Sequence, residues 1–535
     1  MMLVGYVSNE RYLALGNVDF EFRGNGRIVL ARSSISGAVF ADLESGDYEV
    51  VLGKEGYGSK IVSVKVREDQ PYQFRLLTDT LLGYMWPKCV KAGESAEFRV
   101  HSDEEYSLEL YRYGENKDLV KRIGTYDEHG PRATIQITPD GDYTQSGVEW
   151  NKHGYSNKNL KQTVIAPDKS GLYYLHASTK SGKSFNFPWI VAPATPVNEI
   201  AVLASDINWN AYNSFGGRSN YIHTSEFPAS PTVNARLELN RYIHADHKTY
   251  STESYAALSL DRPDPYNHIP TDEQLNDPIE GRQGCHMASA EWRFLGWMER
   301  EGFAYDYYSE TQFHFDQLPL EKYKVLVLSV HPEYWSVKMY ERLKNWVHKG
   351  KGKLVYLGGN GLDCQVEFMD DHRIVYHNTV WSQSETNFGE TGEPQESRMH
   401  RKHESQASLL GQVFTWPGAM TGAPYEVINP SHWCFSGTDL GRGDLFGTES
   451  LHQRVPGGAS GHETDKMSPY SPENTELLAK GINPDDGGAH MVYYNTPSGG
   501  EVFSVGSICW NASIVVDKNV SEITANVLRR FSGRK

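Results

Sequence analysis

The first 192 residues alternate apolar and polar positions in short runs, a pattern typical of antiparallel β-strands. Segments such as NVDFEF, GRIVLARS and GDYEVVLGKEGYGSKIVSVKV fill the first 80 residues, with glycine and aspartate at the turns between them. The alternation continues in SAEFRVHS, YSLELYRYG and SGLYYLHAST until the proline-bearing stretch VAPATPVNE interrupts it. The pattern predicts a small β-sandwich over residues 1–80 and an immunoglobulin-like β-sandwich over residues 81–192.

From residue 193 onward, continuous apolar runs take turns with amphipathic segments. IAVLAS, KVLVLSV and KLVYLGG predict buried strands, and SAEWRFLGWMEREG and VKMYERLKNWVHKG predict helices between them. Because strand–helix–strand units in this order form parallel sheets, we predict an α/β fold over residues 193–535. The layout indicates a doubly wound parallel sheet like that of the class I glutamine amidotransferases.

Polar side chains follow three of these predicted strands at their carboxyl ends. IAVLAS leads into a stretch that contains Tyr212 and Tyr221, KVLVLSV ends at His331 and Glu333, and KLVYLGG ends at Asn360. His331 and Glu333 are two residues apart, and such positions face the same way in extended backbone. Since the carboxyl ends of parallel strands open on one edge of a sheet, we expect these groups to form one site there.

Composition and charge narrow the kind of partner. The formal net charge of −16 disfavours nucleic acid and anionic membranes, because phosphates would be repelled. No apolar run reaches the roughly 18–20 residues of a membrane span, and the N-terminus does not resemble a signal peptide. The five cysteines are scattered without a CxxC pair, which suits a reducing compartment. We therefore expect a cytoplasmic protein that binds neither nucleic acid nor membranes.

Several familiar catalytic motifs are missing from the sequence. It contains no GxSxG elbow, no Walker loop and no HExxH helix. An amidotransferase would carry its nucleophilic cysteine on the turn after KLVYLGG, whereas Asn360 stands at that turn and Cys364 lies beyond it, so cysteine chemistry is not expected. The charged run SRMHRKHES (397–405) is interpreted as a solvated face. The oxygen donors that remain are phenols and carboxylates, hard ligands that suit Fe(III) better than zinc.

Residues 81–535 resemble the large (beta) subunit of the bacterial N,N-dimethylformamidase family. The matching segments, in chain order, are AYN (211–213), GGRSNY (216–221), SLDRP (259–263), HPEYW (331–335), LGGN (357–360), GHETDK (461–466) and VGS (505–507). Their order and number carry the resemblance, since each segment alone is short. Residues 41–57 resemble instead the carboxypeptidase regulatory-like, prealbumin-type β-domain, which is a structural or interaction module.

The resemblance implies a mononuclear Fe(III) centre held by two tyrosines and one glutamate. Carried over residue by residue, Tyr212 and Glu333 are two of the expected ligands. The family's second tyrosine directly follows an Arg-Pro pair, whereas this sequence reads RPDPY, so Tyr266 is the predicted third ligand after a two-residue insertion. The alternatives for that position are Asp264, Tyr221 and Tyr255.

The resemblance also implies hydrolysis of a small linear amide, such as an N-substituted formamide, with iron as Lewis acid. Glu463 is the expected general base, and His331 and Asn360 are the expected hydrogen-bond partners of the carbonyl oxygen or the oxyanion. We expect a homo-oligomer, and the family leaves a small partner subunit open. The alternative from another class is a non-catalytic protein that binds a carbohydrate or a protein through a degenerate amidotransferase-like domain.

Overall fold

The computed structural model describes residues 1–126, 135–150, 162–233, 255–269, 282, 286–378 and 395–534. Its first part consists of two sheets, with strand orders β4-β1-β7 and β3-β2-β5-β6, that pack on a shared apolar core. Phe20 from one sheet and Phe74 from the other meet there at 5.1 Å between ring centroids. The strands are β1 (Met2–Ser8), β2 (Asp19–Gly24), β3 (Arg27–Arg32), β4 (Ala38–Ala41), β5 (Gly46–Lys54), β6 (Gly58–Val66) and β7 (Tyr72–Arg75).

A second pair of sheets follows, with orders β13-β10-β8 and β12-β11-β14-β15-β9. Alternating positions bury aromatic and branched side chains between them, among them Tyr84, Phe98 and Trp189. The predicted boundaries at residues 80 and 192 stay predictions. The elements are β8 (Leu82–Trp86), β9 (Cys89–Lys91), β10 (Ser95–His101), β11 (Tyr106–Tyr113), β12 (Lys117–Tyr126), helix α1 (Tyr143–Ser146), β13 (Thr163–Ile165), β14 (Gly171–Thr179) and β15 (Ser184–Ala192).

The remaining described chain contains 17 strands, of which nine form one sheet and eight form three smaller sheets beside it. Its strands are β16 (Ile200–Ala204), β17 (Leu258–Ser259), β18 (Asp306–Ser309), β19 (Val325–Val330), β20 (Tyr334–Trp335), β21 (Lys353–Gly358), β22 (Cys364–Phe368), β23 (Arg373–Tyr376), β24 (Val413–Thr415), β25 (Gly422–Ala423), β26 (Tyr425–Val427), β27 (Leu445–Phe446), β28 (Ser460–Gly461), β29 (Thr464–Lys466), β30 (Glu476–Gly481), β31 (His490–Asn495) and β32 (Glu501–Ser504). Its helices are α2 (Asp206–Tyr212), α3 (Ala288–Arg300), α4 (Glu310–His314), α5 (Val337–His348), α6 (Arg398–Lys402), α7 (Ala407–Leu410), α8 (Trp510–Ser513) and α9 (Lys518–Ser532).

Helices α5 and α9 each begin at a residue whose side chain caps the helix N-terminus. Ser336 accepts a hydrogen bond from the backbone N–H of Met339 and so starts α5. Asp517 accepts from the backbone N–H groups of Asn519 and Val520 and starts α9. Among the described residues, no helix has the length and apolar character that crossing a membrane requires.

The predicted fold class, a doubly wound parallel α/β sheet, is wrong. Strands hold 37% of the described residues and helices only 18%. The nine strands run in the order β18-β16-β19-β21-β32-β31-β30-β26-β27, and pairing is parallel as far as β32 but antiparallel beyond it. The physical reason lies in the connections: only residues 496–500 join β31 to β32, whereas parallel neighbours need a crossover of a dozen or more residues.

The parallel half of the sheet places the carboxyl ends of its strands side by side. β16 pairs with β19 and β19 pairs with β21, and the residues of β16 and β19 are all buried, as expected for strands covered on both faces. The segments that follow β16, β19 and β21 therefore emerge together, and they carry the polar residues described next.

Candidate functional site

Unusual backbone conformations mark one edge of the parallel strands. Val330, the last residue of β19, has φ +64°, and Asn360, just beyond β21, has φ +51°. His462 and Glu463, between β28 and β29, have φ +47° and +69°. Residues with a Cβ seldom adopt this left-handed region, which costs about 1–3 kcal/mol each, and such strain concentrates at functional sites.

His331 is the centre of the polar cluster at this edge. Its Nε2 lies 3.1 Å from Oε2 of Glu333 and 3.4 Å from Oε2 of Glu463. Its Nδ1 lies 2.9 Å from the carbonyl oxygen of Gly359, which can only accept, so Nδ1 carries a proton. Burial disfavours the imidazolium, but the two carboxylates outweigh burial and raise the pKa of His331 to about 9. His331 is therefore positively charged at neutral pH.

Glu333 is the most firmly held anion of the cluster. Its Oε1 accepts a hydrogen bond from Nη2 of Arg398 at 2.6 Å, and the same nitrogen lies 2.5 Å from Oδ2 of Asp363. Burial opposes ionisation, but Arg398 and His331 outweigh it, so the pKa of Glu333 lies below its usual range. The interpretation of residues 397–405 as a solvated face is wrong for Arg398, whose side chain is only 17% exposed.

Glu463 is the carboxyl group that stays open. Its side chain is 22% exposed, compared with 3% for Glu333. Burial raises the pKa of Glu463 against the influence of His331, and the nearby Glu333 adds to the rise. Oε2 of Glu463 and Oδ1 of Asn360 accept no hydrogen bond from any described residue. Because a buried acceptor without a donor costs about 1–3 kcal/mol, both oxygens are well placed to accept from a bound ligand.

The loop that carries Glu463 is fixed to the end of β21. Asp465 accepts hydrogen bonds at 2.8 Å from the backbone N–H of Asn360 and at 2.8 Å from the hydroxyl of Tyr356. Burial raises the pKa of Asp465 to about 7, although both bonds favour its ionised form. A Cβ at Gly359 would clash with the carbonyl oxygen of Glu463, so this contact requires glycine.

Phenol groups form another side of the cluster. The hydroxyl of Tyr221 lies 3.4 Å from Oε2 of Glu333 and 2.5 Å from the hydroxyl of Tyr334. The ring centroid of Tyr212 lies 4.6 Å from that of Tyr221 and 6.3 Å from that of His331. The structure therefore brings together Tyr212, Tyr221 and Glu333, three residues with hard oxygen donors.

The other candidates for the third ligand, Tyr266, Asp264 and Tyr255, stay predictions. Tyr266 is 42% exposed in the 3₁₀-helix Pro265–Asn267. Asp264 is buried and accepts from the Asn267 side chain at 2.7 Å. Tyr255 is half-buried beside the segment that the structure leaves undescribed.

Some residues of the site were not predicted. Tyr334 and Asp465 lie within the segments HPEYW and GHETDK, next to residues that were predicted. His286, whose ring lies 4.5 Å from that of Tyr212, and Arg398 gave no comparable signal, because each comes from a distant part of the chain. Cys364 is buried, and burial raises the pKa of its thiol, which agrees with the expectation that it is no nucleophile.

Two further groups of side chains have the spacing to hold an ion. They are Glu341 with His403 and Glu404, and Asp370 with Asp371 and His372. Both groups lie at the surface, where acidic residues are common without an ion, and neither touches the cluster around His331. We assign no bound ion to either group.

Comparison with known proteins identifies the family. The family model described as N,N-dimethylformamidase beta subunit-like, C-terminal, matches residues 107–522. The chain belongs to this family. The resemblance stated from the sequence is thereby confirmed, and the N,N-dimethylformamidase beta subunit-like match includes every residue of the cluster described above.

Two curated relatives are N,N-dimethylformamidase beta subunits. The protein from an Alcaligenes species is 26% identical over 433 residues, which cover 70% of this chain and 54% of the relative. The protein from Paracoccus aminophilus is 27% identical over 290 residues, which cover 45% of this chain and 36% of the relative. The matches thus span about half or less of the relatives' length.

Likeness to solved structures is weak. A DUF3823 family protein from Bacteroides ovatus aligns with 34% of this chain and 97% of its own, at 12% identity and a TM-score of 0.13. A score this low carries no argument about fold or function.

Proposed function

We propose that this chain hydrolyses a small linear amide of the N-substituted formamide class in the cluster around His331. Membership of the N,N-dimethylformamidase beta subunit-like family supports an amidohydrolase, and the relatives' name supports the substrate class. The observation that carries the proposal is the contact of Glu463, an open carboxyl group, with the fixed imidazole of His331 at 3.4 Å.

Glu463 has the properties of a general base. Its raised pKa brings it closer to neutral pH, where a base combines adequate basicity with the ionised form. Its Oε2 accepts no hydrogen bond from a described residue and its side chain is 22% exposed, so a water molecule at the exposed part of the carboxyl group can donate a proton to it. The same carboxyl group then delivers that proton to the leaving nitrogen, so that the products are a carboxylic acid and an amine.

His331 and Asn360 act on the acyl oxygen. The positive charge of His331 stabilises the negative charge that develops on this oxygen in the tetrahedral transition state. The Gly359 carbonyl and Glu333 hold the imidazole in one orientation, so little reorganisation is needed. The side-chain amide of Asn360, which hydrogen-bonds Glu463, supplies an N–H donor for the acyl oxygen at the same strand end.

The donor set also fits the predicted mononuclear Fe(III). Tyr212, Tyr221 and Glu333 would hold it, because phenols and carboxylates are hard oxygen ligands, Tyr221 contacts Glu333, and the ring of Tyr212 lies 4.6 Å from that of Tyr221. When bound, the ion supplies Lewis acidity toward the acyl oxygen or water. The contacts favour Tyr221 over Tyr266 as the third ligand. Arg398 keeps Glu333 ionised and so ready to bind a cation.

We propose further that the chain assembles with another subunit, since its relatives are named beta subunits. The predicted homo-oligomer and cytoplasmic location remain proposals of the same kind. Mass measurement of the purified chain, alone and after co-expression with neighbouring gene products, tests the assembly.

Amine release from N,N-dimethylformamide by the purified chain tests the function. We expect turnover in wild type and in Glu449→Gln, an exposed control, and none in Glu463→Gln. Metal analysis of the same samples is expected to find iron in all three. Wild-type protein that stays folded and holds iron but releases no amine from any formamide or acetamide would contradict the proposal and favour a binding protein.

A further inference from the structure

A pair of buried histidines behind the site has no part in the steps above. Nε2 of His452 lies 2.9 Å from Nδ1 of His462, and both rings are buried. The backbone N–H of Val455 donates to Nδ1 of His452 at 3.0 Å. His462 directly precedes the proposed general base Glu463 and shares its left-handed backbone conformation.

These two hydrogen bonds determine where the protons of both rings lie. A backbone N–H can only donate, so Nδ1 of His452 carries no proton and its Nε2 must carry one. That Nε2–H donates to Nδ1 of His462, which is therefore also bare. His462 must then carry its proton on Nε2. Burial lowers the pKa of His452 to about 3, in agreement with a neutral ring.

The ring of His462 is joined to the site through His286. The centroids of His462 and His286 are 5.4 Å apart, and His286 lies 5.4 Å from His331 and 4.5 Å from Tyr212. No described residue accepts a hydrogen bond from Nε2 of His462. The base is therefore preceded in the chain by an N–H donor whose tautomer is fixed and which has no acceptor in the part of the chain that the structure describes.

We propose that His462 donates its Nε2–H to an oxygen of the ligand in the candidate site, and that His452 is a positioning residue that keeps His462 in the donor tautomer. This inference rests on the proposed function for the class of ligand, a small amide or the carboxylate formed from it. The hydrogen bonds that link Val455, His452 and His462 act like those that orient other catalytic imidazoles. In each, the hydrogen bond to one ring nitrogen determines whether the other ring nitrogen carries the proton.

Two substitutions of His462 distinguish the contribution of the N–H donor from that of the imidazole ring. The glutamine amide stands three bonds from Cβ, as Nε2 of histidine does, whereas the asparagine amide stands two bonds away, as Nδ1 does. We expect His462→Asn to lower kcat about 10²-fold and His462→Gln to stay within about 10-fold of wild type. Gln453→Asn, an exposed neighbour of His452, is the control and should match wild type. Equal turnover of His462→Asn and wild type would overturn the proposal.

The tautomer and the ligand contact are measured without turnover. In ¹H–¹⁵N spectra of histidine-labelled protein, with any iron exchanged for diamagnetic Ga(III), we expect a protonated Nε2 and a bare Nδ1 on His462. Addition of N,N-dimethylformamide should shift that Nε2 signal, and His452→Leu should allow both tautomers. A proton on Nδ1, or a signal indifferent to the amide, overturns the proposal. If wild type binds the amide and shifts the signal but releases no amine, hydrolysis fails while the donor role stands.

Discussion

Burial raises the pKa of two carboxyl groups, the fully buried Glu291 and the partly exposed Glu463, yet their surroundings differ. Glu291, on α3, accepts from the backbone N–H of Ser205 at 3.1 Å, from the indole of Trp209 at 3.1 Å and from the hydroxyl of Tyr307 at 2.5 Å. Glu463 instead has an oxygen that accepts from no described residue, on a backbone in the left-handed region.

The contrast shows that a raised pKa alone does not locate chemistry. Burial raises the pKa of Glu291 to about 8 and also raises that of Glu463. Glu291 has both oxygens occupied, as buried polar groups in a stable interior normally do. Glu463 has one oxygen that accepts no hydrogen bond and a strained backbone, a combination that is typical of functional sites. Four experiments test this contrast: two change the carboxyl groups themselves, and two change residues around the candidate site.

The largest effect is expected on turnover from Glu463→Gln. Loss of the general base should lower kcat about 10²–10⁴-fold. The free energy of unfolding should fall by less than in Glu291→Ala, because Glu463 loses its ion pair with His331 but no hydrogen bond to Oε2. Amine release and urea unfolding measure the two quantities. A large loss of stability with intact turnover of the folded fraction would place Glu463 with Glu291 as a structural residue.

Arg398→Ala should destabilise the protein by about 3–5 kcal/mol, because it leaves the buried carboxylates of Glu333 and Asp363 without their shared cation. The pKa of Glu333 should rise and iron retention should fall. Arg401→Ala, an exposed change in the same helix α6, is the matched control. Urea unfolding and metal analysis measure both effects, and equal behaviour of the two variants would show that Arg398 is a surface residue.

Glu291→Ala should cost about 2–3 kcal/mol, because it leaves buried donors of Ser205, Trp209 and Tyr307 without an acceptor. The kcat of the folded protein should remain within about twofold of wild type, since no contact among the described residues links Glu291 to Glu463. Chemical unfolding and amine release at equal folded concentration measure this. A fall in kcat comparable to that of Glu463→Gln would remove the distinction between the two carboxyl groups.

The last effect concerns the stability of the protein in acid. The pKa of His452 is about 3 in the folded protein, compared with 6.5 for an unperturbed histidine, so below pH 6.5 only the unfolded chain takes up its proton. This contribution to stability is complete above pH 6.5 and is lost as the pH falls toward 3, at about 1.4 kcal/mol per pH unit. Unfolding of wild type and His452→Gln between pH 7 and 4 should show a shallower slope for the variant. Parallel slopes would mean that His452 is charged in the folded protein.

More of the candidate site than of the fold could be predicted from the sequence. Three apolar strands followed by polar residues placed His331, Glu333 and Asn360 at one sheet edge, because parallel strands align their ends whatever lies beyond them. The antiparallel half was missed because it lies in a Gly-rich tail, where connection length rather than periodicity decides the pairing.

The choice among tyrosines shows why contacts outside local sequence escape prediction. The position of Tyr266 after Arg262-Pro263 favours it in the sequence, whereas Tyr221 reaches Glu333 through the turn that follows α2. Arg398 resembles a surface charge because its run is rich in basic residues. Only the three-dimensional path of the chain shows that its guanidinium meets Glu333.

The junction at Gly359 limits how this protein can change. The backbone of Glu463 lies against a position where even one methyl group has no room, so the strand end and the loop form a single joint. Surface loops generally tolerate insertions and deletions. An insertion between His462 and Asp465, in contrast, would move the carboxyl group of Glu463 away from Gly359. Changes in substrate choice are therefore expected in the surrounding loops and not at this contact.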